Sequence, residues 1–270
     1  MSRRARLIKS FIQSKSLARV AAFVSGRSAG EINSFQKRLF KPFGFVPLEL
    51  SIASLGALKP LTVVQVGAND GKFGDPVFKS IKQYACRVML IEPQPWLIEQ
   101  LRSNYSDFDG EAVVENIAIG TKKGQIPFHV LKRESWEQYL KRAGGHPSLI
   151  SSADRSQVIK RVSTRLGLDR QAAEGVIESI DVPVEPLLEV LTRHKFDNLD
   201  VLQIDCEGWD FEVIKSIGDI RPPIINFESA NLTDEAWHGF LRWSKENDYG
   251  FLRTGMDTLA LRHFPSRENI

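Results

Sequence analysis

The sequence predicts an open α/β fold built on a parallel sheet, and three observations support it. A short β-branched run, Leu61, Val63, Val64 and Val66, stops abruptly at Gly67-Ala68-Asn69-Asp70-Gly71, as a buried parallel strand does where it turns into a loop. Strand-like and helix-like segments alternate from there on, the pattern of strands joined by crossover helices. Three later apolar runs end at carboxylates, Glu92, Asp205 and Glu228, and open α/β sheets bind their ligands at the carboxyl ends of their strands.

At 270 residues the chain is long enough for one large domain with decorations. A hydrophobic content of 42% and a charged content of 26% are ordinary, and a net charge of +3 gives no reason to expect a nucleic-acid partner. Cys86 and Cys206 form no disulfide framework and no metal spacing. They read as buried thiols of a cytoplasmic, reducing compartment.

Residues 1–58 read as a basic, helical N-terminal extension, and 59–270 as the main domain. Arg3, Arg4, Arg6, Lys9, Lys15, Arg19 and Arg27 precede any acidic side chain, with Leu7, Ile8, Phe11, Ile12, Val20, Phe23 and Val24 at helical spacing among them. Three readings stay open: a helix on a membrane surface, giving peripheral membrane contact through residues 1–30; an organelle transit peptide; or a helix packed on the domain. No apolar run is long enough for a membrane span.

In the first loop, Gly67 and Gly71 allow close backbone approach to a ligand, and Asn69 tolerates positive φ. Counting from Gly67, the dinucleotide fingerprint would need glycines at Asn69 and Lys72, so a pyrophosphate loses its backbone contacts. Glu92 closes the second strand, Arg87–Ile91, where an acid accepts hydrogen bonds from ribose hydroxyls. The pair implies an adenosine site without a pyrophosphate. A helix follows from Trp96 to Tyr105, Val113–Ile119 reads as a third strand, and Ile126–Leu131 as an edge strand.

Residues 132–180 break the alternation and read as a helical cap insertion, with Ser151 or Ser152 capping one helix and Asp169 another. Val182–Val184 and a helix through Leu187, Leu188 and Leu191 restore the rhythm. The fourth strand, Leu199–Asp205, runs into Cys206-Glu207-Gly208-Trp209-Asp210, and Pro223–Ser229 is the fifth. Asp205, Glu207 and Glu228 then gather beside Glu92. Asp205 is the expected general base, with Glu207 or Glu228 as partner. Alternatively the three acids bind magnesium, provided the strand continues to Glu207; in the opposing reading Glu207 caps the next helix. His129, His146, His194, His238 and His263 show no metal spacing, with His146 the outsider because it lies in the expected cap; Trp136 and Trp209 can stack on a sugar face, with core packing the expected role. A helix around Trp237, Phe240, Leu241 and Trp243 precedes two strands, Gly250–Thr254 and Thr258–Arg262, around a glycine turn.

Taken together, VVQVGANDGKFGDP, LIEPQPWLIEQLRSNY, NIAIG, LDVLQIDCEGWDFEVI, PPIINFES and MDTLALR resemble the FkbM family of S-adenosylmethionine-dependent methyltransferases. The resemblance implies a class I Rossmann-like seven-stranded sheet with helices on both faces and a closing antiparallel hairpin. It also implies O-methylation of a hydroxyl on a sugar, glycan or natural product. By the same resemblance, Gly67, Asn69 and Gly71 surround the methionine part of the cofactor, Glu92 holds the ribose, and Asn116 and Ile117 lie near the adenine. Gln65 stands where many class I enzymes have an acid, so Asp70 or Asp205 is the expected anchor for the methionine amine. The rival classes are a non-catalytic Rossmann-like binding protein and a membrane-associated scaffold.

Overall fold

The computed structural model describes residues 47–143 and 145–262. The basic stretch 1–30 and His263 lie outside them. Helix α1 (Pro47–Gly56) leads into the main sheet, whose strands are β1 (Leu61–Val66), β2 (Ala85–Ile91), β3 (Glu111–Glu115), β7 (Val201–Ile204), β8 (Ile224–Glu228), β9 (Tyr249–Thr254) and β10 (Asp257–Arg262). Their order across the sheet is β3-β2-β1-β7-β8-β10-β9. The first five run parallel, and β10 is antiparallel to both β8 and β9. This is the expected seven-stranded sheet with its closing hairpin.

Side-chain alternation sends each strand's apolar residues to two faces. Val64, Val66, Leu202, Ile204, Ile225 and Phe227 meet α7 (Leu187–Arg193), α8 (Asp210–Lys215) and α9 (Asp234–Glu246). On the opposite face Leu61, Val63, Val88, Leu90 and Val201 meet α1, α2 (Phe78–Tyr84) and α3 (Ile98–Asn104). Gln65, Gln203 and Asn226 lie in register across three neighbouring strands, buried on that second face. Asn226 Nδ2 donates to Gln203 Oε1 at 2.9 Å, and Gln65 Nε2 to Asp75 Oδ2 at 3.1 Å.

The run expected as one third strand divides. Only β3 joins the main sheet; Ala118–Ile119 forms β4 of a second, three-stranded sheet, ordered β4-β6-β5. The break falls at Asn116-Ile117, where the Asn116 amide donates to the Glu92 carbonyl at 2.8 Å and turns the chain away. Strand β5 (Gly124–Leu131) is an edge strand of this small sheet, antiparallel to β6 (Ile177–Glu185).

Between β5 and β6 the insertion holds α4 (Trp136–Ala143), a single turn at Pro147–Ile150, α5 (Arg155–Leu166) and α6 (Arg170–Gly175). Strand structure resumes at Ile177, before the expected boundary at 180, because the apolar residues of 177–185 pair with β5. The cap has its own core, with Leu131, Tyr139, Val158, Val162, Leu166 and Ile177 in one cluster. Asp169 caps α6 through Ala172 N–H at 2.8 Å. The cap of α5 is Asp154, which accepts from Ser156 N–H at 2.8 Å, while Ser152 Oγ accepts from Asp154 N–H one step earlier.

Gly67 couples β1 to β7. Its φ is +80°, and a Cβ there would stand 2.0 Å from the Asp205 carbonyl oxygen. Both the left-handed backbone and the strand contact therefore exclude a side chain. Gly67→Ala is expected to cost more than about 2 kcal/mol, read as a lowered urea midpoint with unchanged slope; a loss below half of that would mean the two strand ends can part freely.

Candidate active site

Glu92, Asp205, Glu207 and Glu228 sit at the carboxyl edge of the main sheet, and the backbone there is closely tied. Gly67 and Ala68 N–H donate to Ile91 O at 2.9 and 3.0 Å, Glu92 N–H to Glu115 O at 3.0 Å, and Asp205 N–H to Val66 O at 2.9 Å. Asn69 holds φ +51°, as its residue type allows. Its N–H donates to Glu92 Oε2 at 2.8 Å, while Glu92 Oε1 accepts from Gln94 N–H at 2.9 Å and Gln94 Nε2 at 3.1 Å. Glu92 is buried, and the loss of water pushes its carboxyl above the usual range against these three donors.

Asp70 Oδ1 accepts from the N–H groups of Lys72 and Phe73 at 2.9 and 2.8 Å, so it braces its own loop. Gly71, at φ +70°, faces protein: a Cβ there would meet Leu101 Cδ1 at 2.4 Å. An acid does stand beside Gln65. It is Asp75, which also accepts from Val77 and Phe78 N–H at 2.7 and 3.1 Å at the start of α2.

The second group forms where β7 and β8 end. Strand β7 stops at Ile204, short of Glu207, so strand alternation is not what aligns Asp205 with Glu207. A left-handed pair does it, Glu207 at φ +55° and Gly208 at φ +98°. One carboxylate oxygen from each of Asp205, Glu207 and Glu228 then lies within 4.8 Å of the others. Glu207 does not cap α8. Asp210, 0% exposed, takes the turn's donors, accepting from Gly208, Cys206 and Glu228 N–H at 3.1, 3.4 and 3.2 Å and so pinning the turn to the end of β8.

The cap supplies a cation to these acids: Arg161 on α5 forms an ion pair with Glu207 Oε2. Asn231 Nδ2 bridges Glu207 Oε2 at 3.0 Å and Glu228 Oε2 at 2.6 Å. Burial raises the Glu207 carboxyl, and Arg161 opposes it. The Asp205 carboxyl is pushed up to about 8 by the protein mass around it, then by the charges of Glu207, Glu228, Asp210 and Asp257. Since Asp205 is itself exposed, water offsets the first cause, and the crowding of like charges is the more durable one.

The donor set suits an adenosine ligand better than a metal ion. Glu92 retains an unused lone pair on Oε2, with Asn69 and Asn116 beside it, and carboxylate plus amide groups suit ribose and adenine edges. A hard divalent cation needs free oxygen ligands, and Glu207 is already engaged by a guanidinium and an amide.

Arg161 and Asn231 escaped the sequence reading, and Asp210 and Gln94, though in its motifs, were given no role by it. Asn231 follows Glu228 by three residues and was within reach of it; Arg161 lies among Lys160 and Arg165 with nothing to set it apart. Trp209, expected in the core, is 48% exposed beside the acids. Trp136 packs edge-on to Trp96 and His146, at centroid separations of 6.3 and 5.3 Å. Cys86 is exposed rather than buried, and Cys206 is half-buried. His146 Nδ1 lies 2.6 Å from Ser148 Oγ, and burial holds its pKa below the usual value. Among the described residues no helix is long and apolar enough to cross a membrane.

A model of the Methyltransferase FkbM domain matches residues 65–254. No curated protein matches the sequence. Among solved structures, a methyltransferase FkbM from Methylobacillus flagellatus shares 14% identity at a TM-score of 0.45; the match covers 75% of this chain and 43% of that one, so the chain spans less than half of that relative. An rRNA methylase from Streptococcus thermophilus shares 8% identity at 0.42, over 82% and 99% of the two chains. TrmK of M. capricolum, in complex with S-adenosylhomocysteine, shares 7% at 0.37, over 78% and 66%.

Burial raises the Asp210 carboxyl from its ordinary 3.8 to about 7. An acid whose folded pKa exceeds its unfolded value binds its proton more tightly when folded, so its contribution to stability falls as pH rises between those values. Urea midpoints measured at pH 5 and pH 7.5 are expected to fall less with pH in Asp210→Asn than in the unaltered protein. Equal slopes would show that Asp210 does not titrate in this window.

Proposed function

Since the chain belongs to the FkbM-domain methyltransferase family, we propose that it transfers the methyl group of S-adenosylmethionine to a hydroxyl of a sugar, glycan or natural product. The observation that carries this reading is the convergence on one sheet edge of Glu92 and Asn116, suited to adenosine, with Asp205, Glu207 and Glu228, suited to taking a proton. Trp209 adds an exposed indole against which a sugar face can stack. The reading includes a small-molecule or glycan partner in the cytoplasm rather than nucleic acid. Peripheral membrane contact through residues 1–30 is a further part of it, on sequence grounds alone.

S-adenosylmethionine, when bound, supplies an electrophilic sulfonium methyl. Glu92 would accept from the ribose, Asn116 and Ile117 would border the adenine, and Gly67, Asn69 and Gly71 would offer the methionine part their backbone, since the Cα positions of both glycines face protein. Asp205 would take the proton of the acceptor hydroxyl as that oxygen bonds to the methyl carbon and the carbon–sulfur bond breaks, its electron pair staying on the sulfur of S-adenosylhomocysteine. General-base help of this kind is worth about 10²–10⁴-fold in rate. Glu207 and Glu228, held together by Asn231, keep negative charge beside Asp205 and so raise its affinity for that proton. Holding donor and acceptor in line supplies the rest of the acceleration. Magnesium, the alternative role for the three acids, has less support, because Arg161 already balances Glu207.

Calorimetric titration with S-adenosylmethionine and S-adenosylhomocysteine is expected to show saturable binding, with none for NAD and no requirement for magnesium. A folded sample that binds neither would overturn the reading. Once an acceptor is found, kcat/KM is expected to rise with pH to an inflection above the ordinary carboxylate value of 3.8, the direction in which Asp205 is pushed. Asp205→Asn should lower the rate by about 10²-fold or more and abolish the inflection; a variant with unaltered rate and profile would exclude Asp205 as the base.

A further inference from the structure

Glu92 is 3% exposed, and its hydrogen bonds leave an uneven remainder. Each carboxylate oxygen has two lone pairs. Oε1 accepts two N–H groups, the backbone and the side-chain amide of Gln94, and is full; Oε2 accepts one, from Asn69, and has a place left. A ribose presents two adjacent hydroxyls, and gripping both takes an acceptor on each oxygen. The second place has to be vacated on Oε1, and of its two donors only the Gln94 side chain is free to leave.

That side chain also holds the cap. Gln94 Nε2 donates to the Ser148 carbonyl at 3.2 Å, and Gln94 Oε1 accepts from Ser151 Oγ at 3.0 Å. The amide's orientation follows from its neighbours, two acceptors on the nitrogen side and a hydroxyl donor on the other. Ser148 Oγ lies within 3.0–3.1 Å of both polar atoms of the Asn69 side chain. The turn Pro147–Ile150 is thus fastened to the glycine loop and to the ribose acid together, and Gln94, Ser148 and Ser151 are all buried.

We infer that Gln94 is a latch, a positioning residue for which the cap turn Pro147–Ile150 and the cofactor's ribose compete. With its amide on Glu92, Gln94 holds the turn down. As the ribose hydroxyls take Glu92, the Gln94 amide swings off and the turn loosens, so cofactor occupancy opens the cap at this end, while α5 stays tied to Glu207 through Arg161. The inference rests on the proposal that Glu92 holds the ribose.

The test combines calorimetry with amide hydrogen exchange on the full chain, using S-adenosylhomocysteine as the probe. In the unaltered protein the ligand is expected to speed amide exchange across residues 148–151. Gln94→Met keeps the volume and the backbone donor but removes the latch. It is expected to bind the ligand about fivefold more tightly, the worth of about one neutral hydrogen bond, and to show fast exchange at 148–151 with or without ligand. Ser151→Ala, which removes only the cap's hydroxyl, should shift both readouts in the same direction by less. Slower exchange of the turn on ligand binding, or unchanged or weaker binding by both variants, overturns the latch. Glu92→Ala separates the two levels: if it binds as well as the unaltered protein, the ribose assignment fails and the latch with it, whereas lost binding there with unaltered affinity in Gln94→Met leaves the ribose assignment standing and removes the latch alone.

Discussion

A carboxylate taken out of water must find N–H donors or a cation, and at the carboxyl edge of this sheet that requirement shapes every loop. Glu92 draws the glycine loop and Gln94 onto itself; Asp210 draws Cys206, Gly208 and the end of β8 together. Asp75 organises the start of α2 in the same way. The strands deliver these acids to one edge, and their demand for donors then fixes the turns between strand and helix.

Left-handed residues make the arrangement compact. Asn69 and Glu207 both hold positive φ, as do Gly67 and Gly71 in the first turn and Gly208 in the second. Such backbone costs of order 1–3 kcal/mol at a non-glycine residue. At Glu207 the cost is offset by what the turn achieves: a carboxylate directed back toward Asp205 and Glu228, met by Arg161 and Asn231. The acid cluster therefore combines strained backbone with like-charge crowding, a combination common at functional sites.

The insertion belongs to this site rather than beside it. It has a separate apolar core, so it is able to hold its shape while its contacts with the main sheet change. Those contacts are mainly polar, Ser148 and Ser151 at Asn69 and Gln94 and Arg161 at the acid cluster, with Trp136 set edge-on against Trp96. Hydrogen bonds of this type are exchangeable for ligand at small net cost, unlike the interleaved side chains that join helices to the two faces of the sheet.

Much of this was written in one dimension. β-branched runs of four to six residues, each stopped by glycine or an acid, specified β1, β2, β7 and β8 and put Glu92, Asp205 and Glu228 at their ends, because side-chain period and turn chemistry are local properties. The splitting of 113–119 between two sheets was not legible, since either half is a plausible strand and only pairing with β6 assigns the second. Nor was the alignment of Glu207 with Asp205, which depends on a left-handed turn held by Asp210, or the arrival of Arg161, Ser148 and Ser151, which lie tens of residues from the groups they meet. Sequence alone determined which acids close the strands; the tertiary structure decided which donors each acid receives, because a hydrogen bond between distant segments leaves no periodic trace in either of them.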